Sequence, residues 1–239
     1  ERALNLKDKW EWQARYNRAK LIFSHGQTGQ AVAEMENVAR NWPGRLNAET
    51  WLDLGRTLER AGRGELALEL LEKGEQEGKF DSHCWQLLGN LQLMQGQTTE
   101  AIASLEKALE MDPRDWRTLV LIGSYWQQSG GFEQAAGFYE RALAAPSPDA
   151  PRVFNYLALS RAAAGQKQKA LDAWRASLSA DPSYIEGWIN LGLYLRELGR
   201  EEQARLSLSR ALGLCGDRTE LTDVRTRLNA LLDSTSGRQ

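Results

Sequence analysis

The apolar positions of residues 82–115 fall into two helical stripes joined by a turn. Trp85, Leu88 and Gly89 stand at i, i+3 and i+4, so they share one face of a first helix. Gly89 has no side chain, so another helix can approach closely there. Gly96 follows, where a helix ends best on a residue in the left-handed conformation. Thr98, with Glu100 after it, starts a second helix. Ala101, Leu105 and Ala108 give that helix its own buried stripe, and Pro113 stops it. The pattern predicts two antiparallel helices.

Shifted by about 34 residues in either direction, the same pattern fits again. Six units follow: 12–45, 48–81, 82–115, 116–149, 151–184 and 185–218. Their fifteenth place is always Gly (Gly26, Gly62, Gly96, Gly130, Gly165, Gly199) and their twentieth always Ala (Ala31, Ala67, Ala101, Ala135, Ala170, Ala204). The eighth is Gly or Ala throughout: Ala19, Gly55, Gly89, Gly123, Ala158 and Gly192. The fourth is large and apolar in five: Trp51, Trp85, Leu119, Phe154 and Trp188. The first unit departs, with Arg15 there and Arg18 at the seventh place. Pro43, Pro113 and Pro182 hold the thirty-second place, but Lys79, Ser147 and Gly216 stand there in the others. One such unit cannot bury its apolar face alone, so the units must stack.

This pattern resembles the tetratricopeptide repeat family. The family's Trp-x2-Leu-Gly, then Ala, an aromatic or Leu, Ala and Pro is met almost completely by 82–115. It is met nearly as well by 116–149 and 185–218, and the resemblance covers 12–218. It implies an all-α fold, a right-handed superhelical solenoid of helix–turn–helix repeats. Leu46-Asn47 and the Pro-stiffened 144–151 are spacers expected to alter the local twist.

Both ends differ from the repeats. Glu1-Arg2-Ala3-Leu4 resembles Glu140-Arg141-Ala142-Leu143, late in a second helix. Residues 1–11 are therefore expected to be the remnant of a preceding repeat, in a chain cut from a longer protein, or an N-terminal cap. Asp217 with Glu220 has the spacing of a capping box. Leu221, Val224, Leu228 and Leu231 then predict a C-terminal capping helix over 219–233, leaving 234–239 as a disordered tail.

Composition narrows the function classes. The net charge is −2 with 26% charged residues, so no global field draws in nucleic acid or an anionic membrane. No apolar run approaches about 18 residues, so no direct membrane insertion is expected. Cys84 and Cys215 match no disulfide or zinc spacing. That fits a reducing, cytoplasmic compartment, although periplasmic arrays share this composition. No nucleophile elbow, P-loop, zincin or dinucleotide motif is present. His25 and His83 are the only histidines, and His83 and Cys84, adjacent on a helix, point about 100° apart. No catalytic residue, metal or cofactor is expected. Trp126, Tyr139 and Trp174 fall on core positions.

Function is sought in places the repeat leaves variable. Places 2, 5, 9 and 12 of each first helix form one stripe, which the resemblance implies lines a concave groove. They are His83, Gln86, Asn90 and Leu93 in the third repeat, and Arg117, Val120, Ser124 and Gln127 in the fourth. The fifth has Arg152, Asn155, Leu159 and Ala162; the sixth has Glu186, Ile189, Leu193 and Arg196. The second offers Glu49, Leu52, Arg56 and Glu59, and the first Tyr16, Lys20 and Phe23. The expected ligand set is Gln86, Asn90, Arg117, Val120, Ser124, Gln127, Arg152 and Asn155. Amides suit the backbone of an extended peptide, arginines its carboxylates, and Val120 an apolar anchor. Lys107 and Glu140 fall on the opposite, outer side.

Two subtypes of the family fit poorly. Chaperone-binding members carry a carboxylate clamp, but here Gln86 stands for its Lys and Leu121 for an Asn, with only Asn90 in place. Sugar-transferase members carry an Asn ladder at the sixth place, which only Asn17 and Asn190 match. The leading expectation is a non-catalytic scaffold binding a peptide or partner protein in its groove. The alternatives are the regulatory region of a transferase whose catalytic domain lies outside 1–239, and a scaffold self-associating through its repeat ends.

Overall fold

The computed structural model describes residues 6–41, 46–78, 80–145, 149–216 and 218–236. It forms two compact units, Glu1–Pro113 and Arg114–Gln239. The division falls at the junction of the third and fourth repeats. The described residues contain helices and no strand.

The first unit contains α1 (Leu6–Ser24), α2 (Thr28–Asn41), α3 (Ala48–Arg60), α4 (Gly64–Gln76), α5 (Ser82–Met94) and α6 (Thr98–Met111). Each odd helix packs on the even helix after it. Met35, Trp51, Leu54, Leu58, Leu71, Cys84 and Leu88 build its core. Local chemistry starts the helices. Asn47 Oδ1 accepts from Thr50 N–H at 2.9 Å, and Asp81 Oδ1 from Cys84 N–H at 2.9 Å. Both satisfy a free N–H of a first turn. Asn47, expected to be a spacer, is thus a helix cap, and Leu46 beside it is buried.

The second unit contains α7 (Trp116–Gln128), α8 (Phe132–Leu143), α9 (Ala150–Ala163), α10 (Lys167–Ala180), α11 (Ile185–Glu197), α12 (Glu201–Cys215) and α13 (Thr222–Ser236). Asp115 caps α7, accepting from Arg117 and Thr118 N–H, each at 3.2 Å. Tyr139, Trp174 and Leu208 fill the three hairpins. The Trp174 ring meets Tyr194 of the next hairpin at 5.0 Å between centroids. After a 3-10 turn at Thr219–Leu221, Leu228 of α13 packs on Leu208, Ala211 and Cys215. Leu221, Val224, Leu231 and Leu232 surround that contact.

The hairpin turns share one geometry. All six fifteenth-place glycines have positive φ, from 71° at Gly62 to 81° at Gly130. The next residue's N–H reaches back to close the turn, as from Gln97 to the Gln92 carbonyl at 2.9 Å. The six alanines at place 20 are all fully buried. A Cβ on Gly89 would lie 2.7 Å from Leu105 Cγ and 3.0 Å from the Ala101 carbonyl oxygen, so the hairpin closes on absent side chains. At Gly96 a Cβ would meet nothing within 4 Å. Gly96→Ala is therefore expected to cost about 1–2 kcal/mol from backbone conformation alone, read by denaturant unfolding.

α1 is helical from Leu6, the first described residue, and passes unbroken through the boundary placed at 12, because 6–24 contain no Gly or Pro to interrupt it. At the other end α13 continues to Ser236, so 234–236 are helical rather than tail. The next residue in sequence is Gly237, a weak helix former. Glu1–Leu4, Pro43, Lys79, Ser147 and Asp217 lie outside the described residues.

Candidate functional site

In each unit the first helices lie side by side, α3 against α5 and α7 against α9, with α9 against α11. Their variable stripe therefore has two environments. One edge is open, and the other turns into the seam with the next first helix.

At the open edge, place 2 is exposed in every repeat from the second to the sixth: Glu49, His83, Arg117, Arg152 and Glu186. The Arg117 guanidinium lies over Trp116, 4.7 Å from its ring centroid, and has no ion-pair partner among the described residues. Arg152 bonds Asp149 at 2.8 Å. That contact holds the guanidinium pKa above its ordinary value. Val120 and Leu159 are half-buried beside them.

At the seam, polar side chains bond one another. Asn155 is fully buried, and its Oδ1 accepts from Trp174 Nε1 at 2.8 Å and from Asn190 Nδ2 at 3.1 Å. Its Nδ2 has no partner among the described residues. Gln127 Oε1 accepts from Tyr139 Oη at 3.0 Å and from Ser160 Oγ at 3.2 Å, while Ser124 Oγ lies 3.3 Å from the same Tyr139 hydroxyl. Burial pushes the Tyr139 hydroxyl up to about 12, so it stays protonated and donates.

The first unit repeats the arrangement. Asn90 Nδ2 donates to Glu59 at 3.2 Å, and Gln86 is buried. Tyr16 Oη donates to Asp53 Oδ2 at 2.7 Å, and Lys20 forms an ion pair with the same carboxylate. Burial and the Asp53 bond raise the Tyr16 hydroxyl far above its usual range. For Asp53, burial alone would raise the carboxyl. The bonds from Lys20 and Tyr16, with the charges of Lys20 and Arg56, outweigh it and hold the pKa below the usual value.

The expected ligand set therefore divides. Arg117 and Arg152 are exposed, and Asn90, Val120, Ser124 and Gln127 are half-buried. Gln86 and Asn155 are turned inward, which corrects the expectation that Asn155 offers its amide to a peptide. Its acceptor is engaged because two N–H donors, from Trp174 and Asn190, converge on it in the interior. Asp53 and Asn190, both at the sixth place, act in the seams. The sequence carries a signal for them: Asn155 and Asn190 are 35 apart, and Tyr16 and Asp53 are 37 apart, the extra two being Leu46-Asn47. Lys107 and Glu140 are not idle outer residues either. Lys107 bonds Glu75 at 3.1 Å and stands 3.9 Å above the Trp85 ring centroid, and Glu140 pairs with Arg161.

Comparison with known proteins points to the same repeat fold. Tetratricopeptide repeat profiles match residues 23–91, 87–151 and 156–218. The chain belongs to the tetratricopeptide repeat family. Its repeats make it a protein–protein interaction scaffold in class, and proteins of this family are generally non-catalytic. It is 27% identical over 123 residues to tetratricopeptide repeat protein 37 of Xenopus laevis, a match covering 52% of this chain and 8% of that protein. This chain thus spans a small part of that relative.

Among solved structures it is similar to the C-terminal part of a TPR repeat-containing protein from Cytophaga hutchinsonii. There the TM-score is 0.72 and the identity 17%, over 93% of this chain and 89% of that one. MamA from Desulfovibrio magneticus RS-1 gives a TM-score of 0.64 at 20% identity, over 72% of this chain and 97% of that one. PilF of Pseudomonas aeruginosa gives 0.65 at 19%, over 79% and 86%. At these identities the likeness is one of fold. Among the described residues no cluster of three or more His, Cys, Asp or Glu is arranged to hold a metal, and no helix is long and apolar enough to cross a membrane.

Proposed function

We propose that the chain is a scaffold that holds an extended, acidic segment of a partner protein along the open edge of its first helices. In the second unit Arg117 and Arg152 are the anchors. The observation that carries this reading is the exposed Arg117, seated over the Trp116 ring and without an ion-pair partner among the described residues. That contact holds the planar fork in place, so a carboxylate can be met by two N–H groups with little further ordering. Arg152 on the neighbouring helix supplies a second cation, which exchanges Asp149 for a ligand carboxylate. Val120 and Leu159 give a partly apolar floor between polar contacts.

The test is selection of peptides from a random display library on the intact chain, followed by titration of the selected peptide. Acidic residues are expected to be enriched. Arg117→Ala with Arg152→Ala is expected to weaken binding about tenfold or more, with the melting transition nearly unchanged. Glu133→Ala with Lys169→Ala, exposed on second helices, serves as the control. Lys107 and Glu140 do not suit that purpose, since both make cross-helix contacts. Full binding by the double arginine variant refutes the reading.

A further inference from the structure

Three of the first helices are capped by an Asn or Asp side chain. Asn47 accepts from the third N–H of α3 and Asp81 from the third of α5, while Asp115 accepts from the second and third of α7. Asp149 stands at the same position before α9, but its side chain bonds no N–H of that first turn. Two differences accompany this. Pro151 is the second residue of α9, so the N–H that Arg117 gives to Asp115 has no counterpart here. Asp149 also has ψ of 29°, whereas the three capping residues are extended, with ψ from 100° to 179°. Its carboxylate lies instead on the guanidinium of Arg152, 2.8 Å from Nη2. The third N–H of α9 belongs to Arg152 as well. The guanidinium that this carboxylate holds and the amide that it would cap are thus parts of one residue.

Resting on the arginine reading above, we propose that Asp149 is an internal competitor for Arg152 and switches to capping α9 when an acidic segment binds. In the free chain it stands where the ligand's carboxylate would be. When the ligand takes the guanidinium, Asp149 turns to extended backbone and accepts from the Arg152 N–H, as Asp81 does from Cys84. Each carboxylate then has a charge-assisted bond, so the exchange leaves no anion unpaired. The N–H that Asp149 gains is one that a helix cannot satisfy internally. The positive end of the helix favours the carboxylate there too. The displaced pair is largely open to solvent, and such pairs are weak. Asp149 therefore tunes affinity by a small factor and does not close the site.

The test uses the intact chain and the acidic peptide selected on it. Asp149→Asn removes the competing charge and keeps a cap acceptor, as Asn47 is for α3. It is expected to tighten binding about threefold. The same change made on Arg152→Ala should have no effect, because there is no guanidinium to compete for. An equal gain in both backgrounds means that Asp149 merely repels the peptide, and overturns the proposal. Unchanged affinity in Asp149→Asn, where Arg152→Ala alone weakens binding, also overturns it but leaves the arginine reading standing. If Arg152→Ala binds as the parent does, the arginine reading itself fails and the competition with it. The cap is read without any ligand, by amide exchange at position 152. Exchange there should slow in Arg152→Ala, which releases Asp149 to the N–H, and should not slow in Arg152→Ala with Asp149→Ala. No slowing in Arg152→Ala overturns the proposal whatever the peptide does.

Discussion

Asn155→Ala is expected to destabilise the second unit by about 2–4 kcal/mol, more than removal of either Arg117 or Arg152. The substitution deletes the one acceptor shared by Trp174 Nε1 and Asn190 Nδ2. The Trp174 ring is 1% exposed, so its N–H would be left without water or partner. A stranded buried donor costs about 1–3 kcal/mol, and the vacated volume adds to that. Asn155→Leu separates the two terms, because it fills the space but strands the same donors. It should recover the cavity contribution only. Hydrogen exchange over α9, α10 and α11 is the measurement, with denaturant unfolding for the total. If Asn155→Ala instead leaves protection intact and weakens peptide binding, then the buried amide is not the structural pin described above.

The difference between Asn155 and Arg117 marks how far the sequence could be read. Glycines at place 15 and alanines at place 20 were legible because their reasons are local. Positive φ disfavours a Cβ wherever the chain runs, and a close helix approach needs a small side chain. These repeat in phase, and the hairpins followed from them. Places 5 and 12 lie between the open edge and the seam. Whether a polar residue there turns out or in depends on what the next first helix presents about 35 residues later. Asn155 turns in because Asn190 and Trp174 need an acceptor. Lys107 lies on the outer side by its place, and there the Glu75 carboxylate and the Trp85 ring give it partners on other helices. Pairwise chemistry of this kind is not contained in the repeat. The last helix outruns its apolar stripe for a simpler reason. Without Gly or Pro in 234–236, a helix already nucleated by packing propagates past its last buried contact.

Leu228→Asp together with Leu231→Asp is expected to detach α13 and to fray the last hairpin before anything else. Leu228 is 1% exposed, and the residues it covers, Leu208, Ala211 and Cys215, are all fully buried. Placing carboxylates there exchanges apolar contact for charge that must keep its water, at about 3–5 kcal/mol. The consequence is directional. In a stack of hairpins each repeat is stabilised by itself and its neighbours, so lost stability stays near the lesion. The faces of α11 and α12 that carry Ile185, Trp188, Ile189 and Leu212 would be wetted first. Amide exchange should therefore accelerate in α11 and α12 while α7 and α8 keep most of their protection. The Trp174–Tyr194 contact and the Asn155–Asn190 bond couple the last hairpin to the one before it, so α9 and α10 should respond to an intermediate degree. Equal loss from α7 to α12 would mean that the second unit unfolds as one block, and that these seams transmit stability instead of localising its loss.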